Sequence, residues 1–283
     1  MELTLEELRE RFTRAGYIIN EDALNTVYLA LRLEKPLLVC GPAGVGKTEL
    51  AKVLSSILGA KLIRLQCHEG LDESKALYDW NFQRQLVKIH LAARHETIRE
   101  EDLFSLPNIL QRPLLQAITS EEPVVLLIDE IDRADPDFEA FLLEVLSDFQ
   151  ISIPEIGTIT ANRKPIVVIT NNGEREISEA LRRRCIFLYI DFPTIEQEAS
   201  IIRVHASEIL EELEEEISLG VNRLLQPGSH PGPQAASTLD WARALLLLNA
   251  DRLRREYVEK TLDLLAKKKE NIEAYQEFLK SQA

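Results

Sequence analysis

A short apolar run followed at once by a glycine-rich loop constrains this chain more than any other feature. The run is residues 36–40, and the loop after it completes the GxxxxGK[ST] pattern, which requires a buried strand that turns through glycines into a helix. In this arrangement backbone N–H groups converge on a phosphate, while Lys47 reaches the outer phosphate oxygens and Thr48 ligates Mg²⁺. The predicted phosphate-binding residues are Gly41, Pro42, Ala43, Gly44, Val45, Gly46, Lys47 and Thr48.

Strand and helix patterns alternate along the first two thirds of the chain, and helical patterns dominate afterwards. Apolar runs predict buried strands at residues 37–40, 61–66, 124–128, 166–170 and 186–190. Helical spacing lies between them, near residues 47–58, 107–119, 136–149 and 176–182. This alternation predicts a doubly wound parallel sheet in an α/β domain of residues 1–193, followed by an all-helical domain of residues 194–283.

Two segments do not fit a minimal nucleotide-binding core. Residues 68–106 separate the second predicted strand from the third, and residues 149–165 alternate around a turn, which predicts a β-hairpin. The first segment carries Tyr78, Trp80 and Phe82 among polar residues. Either a short strand buries these aromatic rings, or Trp80 or Phe82 is exposed as an anchor for a binding partner.

Composition and charge disfavour two classes of protein, DNA motors and membrane-spanning proteins. The 283 residues include 47 acidic and 33 basic side chains, a net charge of −14 that opposes the counterion release driving non-specific DNA binding. No apolar run approaches the ~18 residues of a membrane span, and the first residues lack a signal-peptide pattern, so the expected location is the cytoplasm. The three cysteines, at positions 40, 67 and 185, have no metal-binding spacing and are predicted to be core thiols.

Two carboxylates follow the apolar run 124–128 directly. They are Asp129 and Glu130, and ligands collect at the edge of an open α/β sheet where such strands end. We expect Asp129 to hold the Mg²⁺ shell and Glu130 to orient or polarise an attacking water, because phosphoryl transfer depends on positioning and charge stabilisation. The alternative is a charged pair that only begins a loop.

Two further groups are candidates by position. The run 166–170 ends in two asparagines, and Asn172 would lie beside the γ-phosphate if this strand sits between the loop strand and the acidic strand; otherwise an ordinary turn explains it. Arg182, Arg183 and Arg184 close a helix just before the last predicted strand. They either balance the helix dipole or, in an assembly, supply a charge to the site of a neighbouring subunit.

The order of these motifs carries a resemblance. GPAGVGKT, VVLLIDEID, VVITNN and ALRRRC, followed by a helical region, resemble an AAA+ ATPase, and the two extra segments resemble its helix-2-insert clade with a pre-sensor hairpin. The chain is most similar to the MoxR family. Three segments, LQCHEGLDESKALYDWNFQRQL, SEALRRRCIFLYIDFP and STLDWARALLLL, resemble the CoxD branch, which assists maturation of carbon monoxide dehydrogenase. The implied fold is a P-loop AAA+ core with a five-stranded parallel sheet, a helix-2 insert, a pre-sensor β-hairpin and an all-helical C-terminal lid.

The resemblance also implies roles, with ATP and Mg²⁺ as cofactors. It makes residues 41–48 Walker A, Asp129 and Glu130 Walker B, Asn172 sensor 1 and Arg184 a catalytic arginine finger acting in trans. Its relatives place the sensor-2 arginine directly after a Ser-Thr or Ser-Pro pair.

The sensor-2 position departs from that pattern, because Ser237-Thr238 is followed by Leu239 in this chain. Arg243 lies one helical turn later on the same face, so its long side chain would substitute in binding the nucleotide.

The function implied by the resemblance is an ATP-hydrolysing ring, usually a hexamer, that remodels a client. The client would be a metalloenzyme awaiting its metal centre, with a von Willebrand A-type protein as adaptor. One alternative is the motor subunit of a metal chelatase, which shares the clade and both insertions. The other is a nucleic-acid motor of the same superfamily, which the acidic balance disfavours.

Overall fold

The computed structural model describes residues 3–92, 103–205, 217, 235–248, 257, 260, 261 and 264. Its helices are α1 (Leu5–Arg14), α2 (Glu21–Arg32), α3 (Lys47–Leu58), α4 (Glu73–Ala76), α5 (Phe82–Ala92), α6 (Pro113–Thr119), α7 (Pro136–Asp148), α8 (Glu179–Arg184), α9 (Ile195–His205) and α10 (Ala235–Leu247). Its strands are β1 (Leu37–Cys40), β2 (Lys61–Gln66), β3 (Tyr78–Trp80), β4 (Ile109–Gln111), β5 (Val124–Asp129), β6 (Gln150–Ile153), β7 (Gly157–Thr160), β8 (Ile166–Asn171) and β9 (Ile186–Tyr189).

A five-stranded parallel sheet in the order β2-β5-β8-β1-β9 forms the centre of the α/β fold. Every residue of β5 is buried, and so are nearly all of β8, as expected for central parallel strands covered by helices. The predicted parallel sheet is therefore confirmed. Strand β8 lies between β5 and β1, which is the condition under which the asparagines after β8 reach the phosphate site.

The second extra segment forms a small antiparallel ribbon, and the first contributes one strand to another such ribbon. Strands β6 and β7 make the predicted hairpin, with Gly157 at a positive φ of 98° directly after the turn. Strand β3 pairs with β4, so the prediction of a helix over 107–119 is wrong in its first half. The helix α6 begins only at Pro113, because proline lacks an N–H and fits the first helical position, while Arg112 before it is extended.

Residue contacts divide the chain into two compact units. The first gathers residues 1–8, 21–41 and 47–189, and the second gathers residues 9–20, 42–46 and the described residues from 190 onward. In the second unit Trp241 is fully buried, and its indole Nε1 donates to Thr261 Oγ1 at 2.7 Å. The described residues from 195 onward are helical except Leu248, which lies in a turn, whereas the domain boundary at 193 stays a prediction. None of the described helices has the length and apolar character that a membrane crossing requires.

Candidate active site

The glycine-rich loop joins β1 to α3 in the predicted way. Gly44 and Gly46 have φ values of 82° and 97°, a left-handed backbone that residues with a Cβ rarely adopt. Lys47 is the first residue of α3, so the loop's N–H groups lie at the positive end of a helix. The Tyr17 hydroxyl donates to the Gly46 carbonyl at 3.4 Å, a support for the loop that the sequence did not reveal.

Lys47 is buried, with only 5% of its surface exposed. Its Nζ donates to the Gly41 carbonyl at 2.7 Å, inside the loop that it closes. Burial lowers the pKa of Lys47 from its ordinary value, and the negative charges of Asp132 and Asp129 oppose that shift. The ammonium group is therefore held next to several carboxylates at the point where phosphate oxygens would accept its hydrogen bond.

Asp129 ends β5 and is 2% exposed. Its Oδ1 accepts from Thr48 Oγ1 at 3.0 Å and from Thr170 Oγ1 at 2.6 Å. Its Oδ2 accepts from Arg64 Nε at 3.0 Å. One carboxylate therefore ties together the first turn of α3 and the carboxyl ends of β2 and β8.

The donors at this point fit Mg²⁺. Thr48 and Asp129 bring a hydroxyl and a carboxylate within 3.0 Å of each other, and Mg²⁺ prefers oxygen ligands. In nucleotide sites Mg²⁺ takes one or two protein oxygens and completes its shell with phosphates and waters. Within the described ranges no group of three or more His, Cys, Asp or Glu could hold a metal ion.

Glu130 has a left-handed backbone, with φ 58° and ψ 53°. Its Oε2 accepts from Gln66 Nε2 at 2.9 Å and from Arg133 at 3.0 Å, and Asn172 Nδ2 donates to its Oε1 at 3.4 Å. The structure therefore brings the predicted Walker B glutamate and the predicted sensor asparagine together. A carboxylate and an amide that lie side by side in this way are able to bind the same water.

The loop after β8 separates the two asparagines. Asn171 is buried, and its side-chain oxygen accepts from the Gly173 N–H at 2.6 Å. Asp132 accepts from the backbone N–H groups of Asn172 at 3.1 Å and of Glu174 at 3.0 Å. The Asn171 side chain therefore binds the loop itself, whereas the Asn172 side chain contacts Glu130.

The structure does not bring the predicted arginine finger to this site. Arg184 is exposed at the end of α8, where Arg183 pairs with Glu179 at 2.9 Å and Arg182 lies 5.7 Å from the centroid of the Phe187 ring. The Arg184 side chain makes no hydrogen bond or ion pair with the part of the chain that the structure describes. Arg243, on α10, is also exposed, and its guanidinium lies 4.0 Å from Asp240. Both roles stay predictions.

Sequence reasoning missed several polar residues of the site. Arg64 and Gln66 alternate on β2 with buried residues, so both side chains lie on one face at the edge next to β5. Their period-two spacing near the end of a strand was the available signal. Thr170, the one hydroxyl residue in the run 166–170, also accepts from the Glu130 N–H at 2.8 Å.

Comparison with known proteins identifies relatives of several kinds. The chain is 29% identical over 178 residues to chaperone protein ClpD1, chloroplastic, of Oryza sativa, covering 62% of this chain and 16% of that protein. It is 22% identical over 232 residues to gas vesicle ATPase GvpN1 of Halobacterium salinarum, covering 75% and 66%. It is 26% identical over 240 residues to Holliday junction branch migration complex subunit RuvB of Thermotoga petrophila, covering 81% and 59%. The chain thus spans less than two thirds of the length of each of these relatives.

The fold and the family agree with these likenesses. The solved structure of the Thermotoga maritima RuvB branch migration motor matches with a TM-score of 0.52 and 23% identity, covering 87% of this chain and 70% of that one. Residues 36–185, more than half of the chain, match the family model of the AAA domain of the dynein-related subfamily. The prediction of an AAA+ ATPase is confirmed at the level of the family, because the chain belongs to the dynein-related subfamily of AAA domains.

Proposed function

We propose that this chain is a cytoplasmic, Mg-dependent ATPase of the MoxR type, most similar to the CoxD branch, that assembles into a ring. In this proposal the ring remodels a client metalloenzyme during maturation of its metal centre, with a von Willebrand A-type adaptor. The observation that supports ATP hydrolysis, the catalytic half of this proposal, is the hydrogen bond between Thr48 and Asp129. It joins the phosphate loop to the acidic end of β5, although the two residues are 81 positions apart. The client half extends the resemblance, and a relative named as a chaperone supports it.

Each site residue has a proposed role. Lys47 binds the β- and γ-phosphates, while Thr48 and Asp129 hold the Mg²⁺ shell; the metal, when bound, offsets phosphate charge. Glu130 orients the attacking water, and Asn172, 3.4 Å from it, contacts the γ-phosphate or that water.

Two arginines complete the proposal from outside this cluster. Arg184 is exposed and has no partner in the described part of the chain, which suits a finger that enters the site of a neighbouring subunit. Arg243 would act as sensor 2 from the proposed helical domain of residues 194–283.

Two substitutions test the catalytic half. Lys47→Ala should abolish nucleotide binding, whereas Glu130→Gln should keep binding and lower turnover about 100-fold or more, because the water loses its orienting carboxylate. Fluorescent-nucleotide titration and phosphate release measure the two quantities. Parental turnover in Glu130→Gln would show that the Walker B assignment is wrong.

The client half is tested by affinity capture from cell extract. A Glu130→Gln chain held in ATP should retain a metalloenzyme that the matched Lys47→Ala chain, unable to hold nucleotide, does not. A nucleic-acid motor is the second candidate, because the chain is 26% identical to a Holliday junction subunit. It predicts that duplex DNA stimulates ATP hydrolysis with a steep salt dependence, and absence of both effects would reject it.

A further inference from the structure

An ion pair with a buried carboxylate lies beside the active site and takes no part in the proposed chemistry. Glu139, on α7, has a side chain that is 2% exposed, and Arg175, in the loop after β8, has one that is 30% exposed. The Arg175 guanidinium donates to Glu139 Oε1. The second oxygen, Oε2, accepts from the backbone N–H of Ser178 at 3.0 Å.

The same guanidinium reaches the turn that follows Glu130. It donates to the carbonyl of Ala134 at 2.9 Å and to that of Ile131 at 3.5 Å. These two carbonyls belong to the short helical turn Ile131–Arg133 and its cap. Arg175 therefore connects the Walker B turn to Glu139, and Glu139 connects both to Ser178.

Ser178 is the N-cap of α8, and its Oγ accepts from the Leu181 N–H at 3.3 Å. Helix α8 has only six residues, too few for a stable helix by itself, and Leu181 is its one buried side chain. The direction of α8 consequently depends on how its first residue is held. Arg184 lies at the other end of this helix.

Stability alone explains the pair poorly. Burying the Glu139 carboxylate and most of the Arg175 side chain costs desolvation energy that their attraction often fails to recover, and apolar residues of similar volume are frequently as stabilising. Unlike apolar residues, the pair forms directional hydrogen bonds. Besides the bond between its two members, it binds three backbone groups, at Ile131, Ala134 and Ser178.

We propose that Glu139, paired with Arg175, is a positioning residue that orients α8 and so aims Arg184 at the site of the neighbouring subunit. The inference rests on the proposed function, in which Arg184 acts in trans. Arg175 also binds the turn that follows Glu130. The orientation of Arg184 therefore depends on the conformation of the active site in its own subunit.

Mixed rings separate this role from a structural one. Lys47→Ala subunits cannot bind nucleotide and contribute only a finger, whereas Arg184→Ala subunits contribute only a pocket, so their mixture should regain ATP hydrolysis. Placing Glu139→Gln in the finger donor should reduce the regained rate about 10-fold, because a misplaced group loses most of its effect. Placing it in the Arg184→Ala acceptor should cost less than about 3-fold, since no finger remains there to aim.

Glu179→Gln is the matched control, because it removes an exposed ion pair from the same helix and should leave donation unchanged. Light scattering verifies that each mixture forms rings, and Arg175→Lys replaces Glu139→Gln in the donor if the latter does not assemble. The inference would be overturned if assembled rings with Glu139→Gln in the donor regained the full rate of ATP hydrolysis. Equal losses of rate with the change in the donor and in the acceptor would also overturn it. If the reference mixture without any change at Glu139 regains nothing, the trans role of Arg184 fails instead.

Discussion

The carboxyl edge of the sheet and the insertion between β2 and α6 differ in where their side chains find partners. At the edge, Asp129 is buried and both of its oxygens accept hydrogen bonds from within the chain. In the insertion, Phe82, Leu86 and Val87 on α5 are 62%, 54% and 57% exposed. The side chains at the edge therefore bind one another within the chain, whereas the insertion presents apolar surface outward.

The largest expected effect is at Arg184, which lies at the end of α8 and outside the cluster at the carboxyl edge. Arg184→Ala should bind ATP normally and hydrolyse it about 10³-fold more slowly, because arginine fingers stabilise the charge of the transition state. Arg183→Ala, which removes only an exposed pair with Glu179, should leave turnover within about 2-fold of the parent. Steady-state hydrolysis by assembled rings measures both. Equal effects of the two changes would remove the reason to single out Arg184.

The insertion should divide into a packed part and an exposed part. The Trp80 ring is half-buried and makes edge-to-face contacts with Tyr78 at 5.9 Å and Phe104 at 5.1 Å. Trp80→Ala should thus lower the free energy of unfolding by about 3 kcal/mol, and Phe82→Ala by less than about 0.5 kcal/mol. Urea denaturation measures both values.

The same pair of changes tests the docking hypothesis. The short strand β3 holds Tyr78 and Trp80, which leaves Phe82 as the candidate anchor for adaptor or client. Phe82→Ala should keep assembly and hydrolysis and lose the captured partner. If the Phe82→Ala chain still retains the partner, Phe82 is not a docking residue.

A smaller effect is expected from a hydroxyl at the edge. Thr170→Val keeps the side-chain shape but removes the bridge between the Glu130 N–H and Asp129 Oδ1. Turnover should fall about 10-fold with nucleotide affinity nearly unchanged, because one hydrogen-bonded link is lost without any group that contacts phosphate. Thr158→Val, in the β6–β7 hairpin, is the control. An affinity loss as large as the loss in turnover would contradict this reading of Thr170.

The smallest expected effect concerns the cysteines. Burial raises the pKa of Cys67 and of Cys185 from 9.0 to about 12, so both thiols stay protonated in the folded state while unfolded thiols ionise near pH 9. Stability from this source is complete below pH 9 and is lost as pH rises from 9 toward 12, beginning with about 0.4 kcal/mol per thiol at pH 9. Replacing both with alanine should flatten the pH dependence of the free energy of unfolding between pH 8 and 9.5. An unchanged slope would contradict these pKa values.

Local signals in the sequence predicted most of the fold and the centre of the site. Strands at 37–40 and 61–66 and the helix at 47–58 agree with the structure to the residue, because an apolar run and a glycine-rich turn are complete within a few positions. The helix predicted near 107–119 was wrong in its first half, because the pairing of Ile109 with Trp80 is a non-local contact. Arg64 and Arg175 were not predicted as site residues for the same reason, because their carboxylate partners lie 65 and 36 positions away.

The left-handed backbone of Glu130 has a consequence for how this chain responds to selection. A residue with a Cβ loses about 1–2 kcal/mol in that conformation, a cost that glycine would avoid. Glycine would also delete the carboxylate proposed to orient the water. Relief of backbone strain and the proposed catalytic role therefore make opposite demands on this position, and a laboratory screen for thermal stability alone would place no value on the carboxylate.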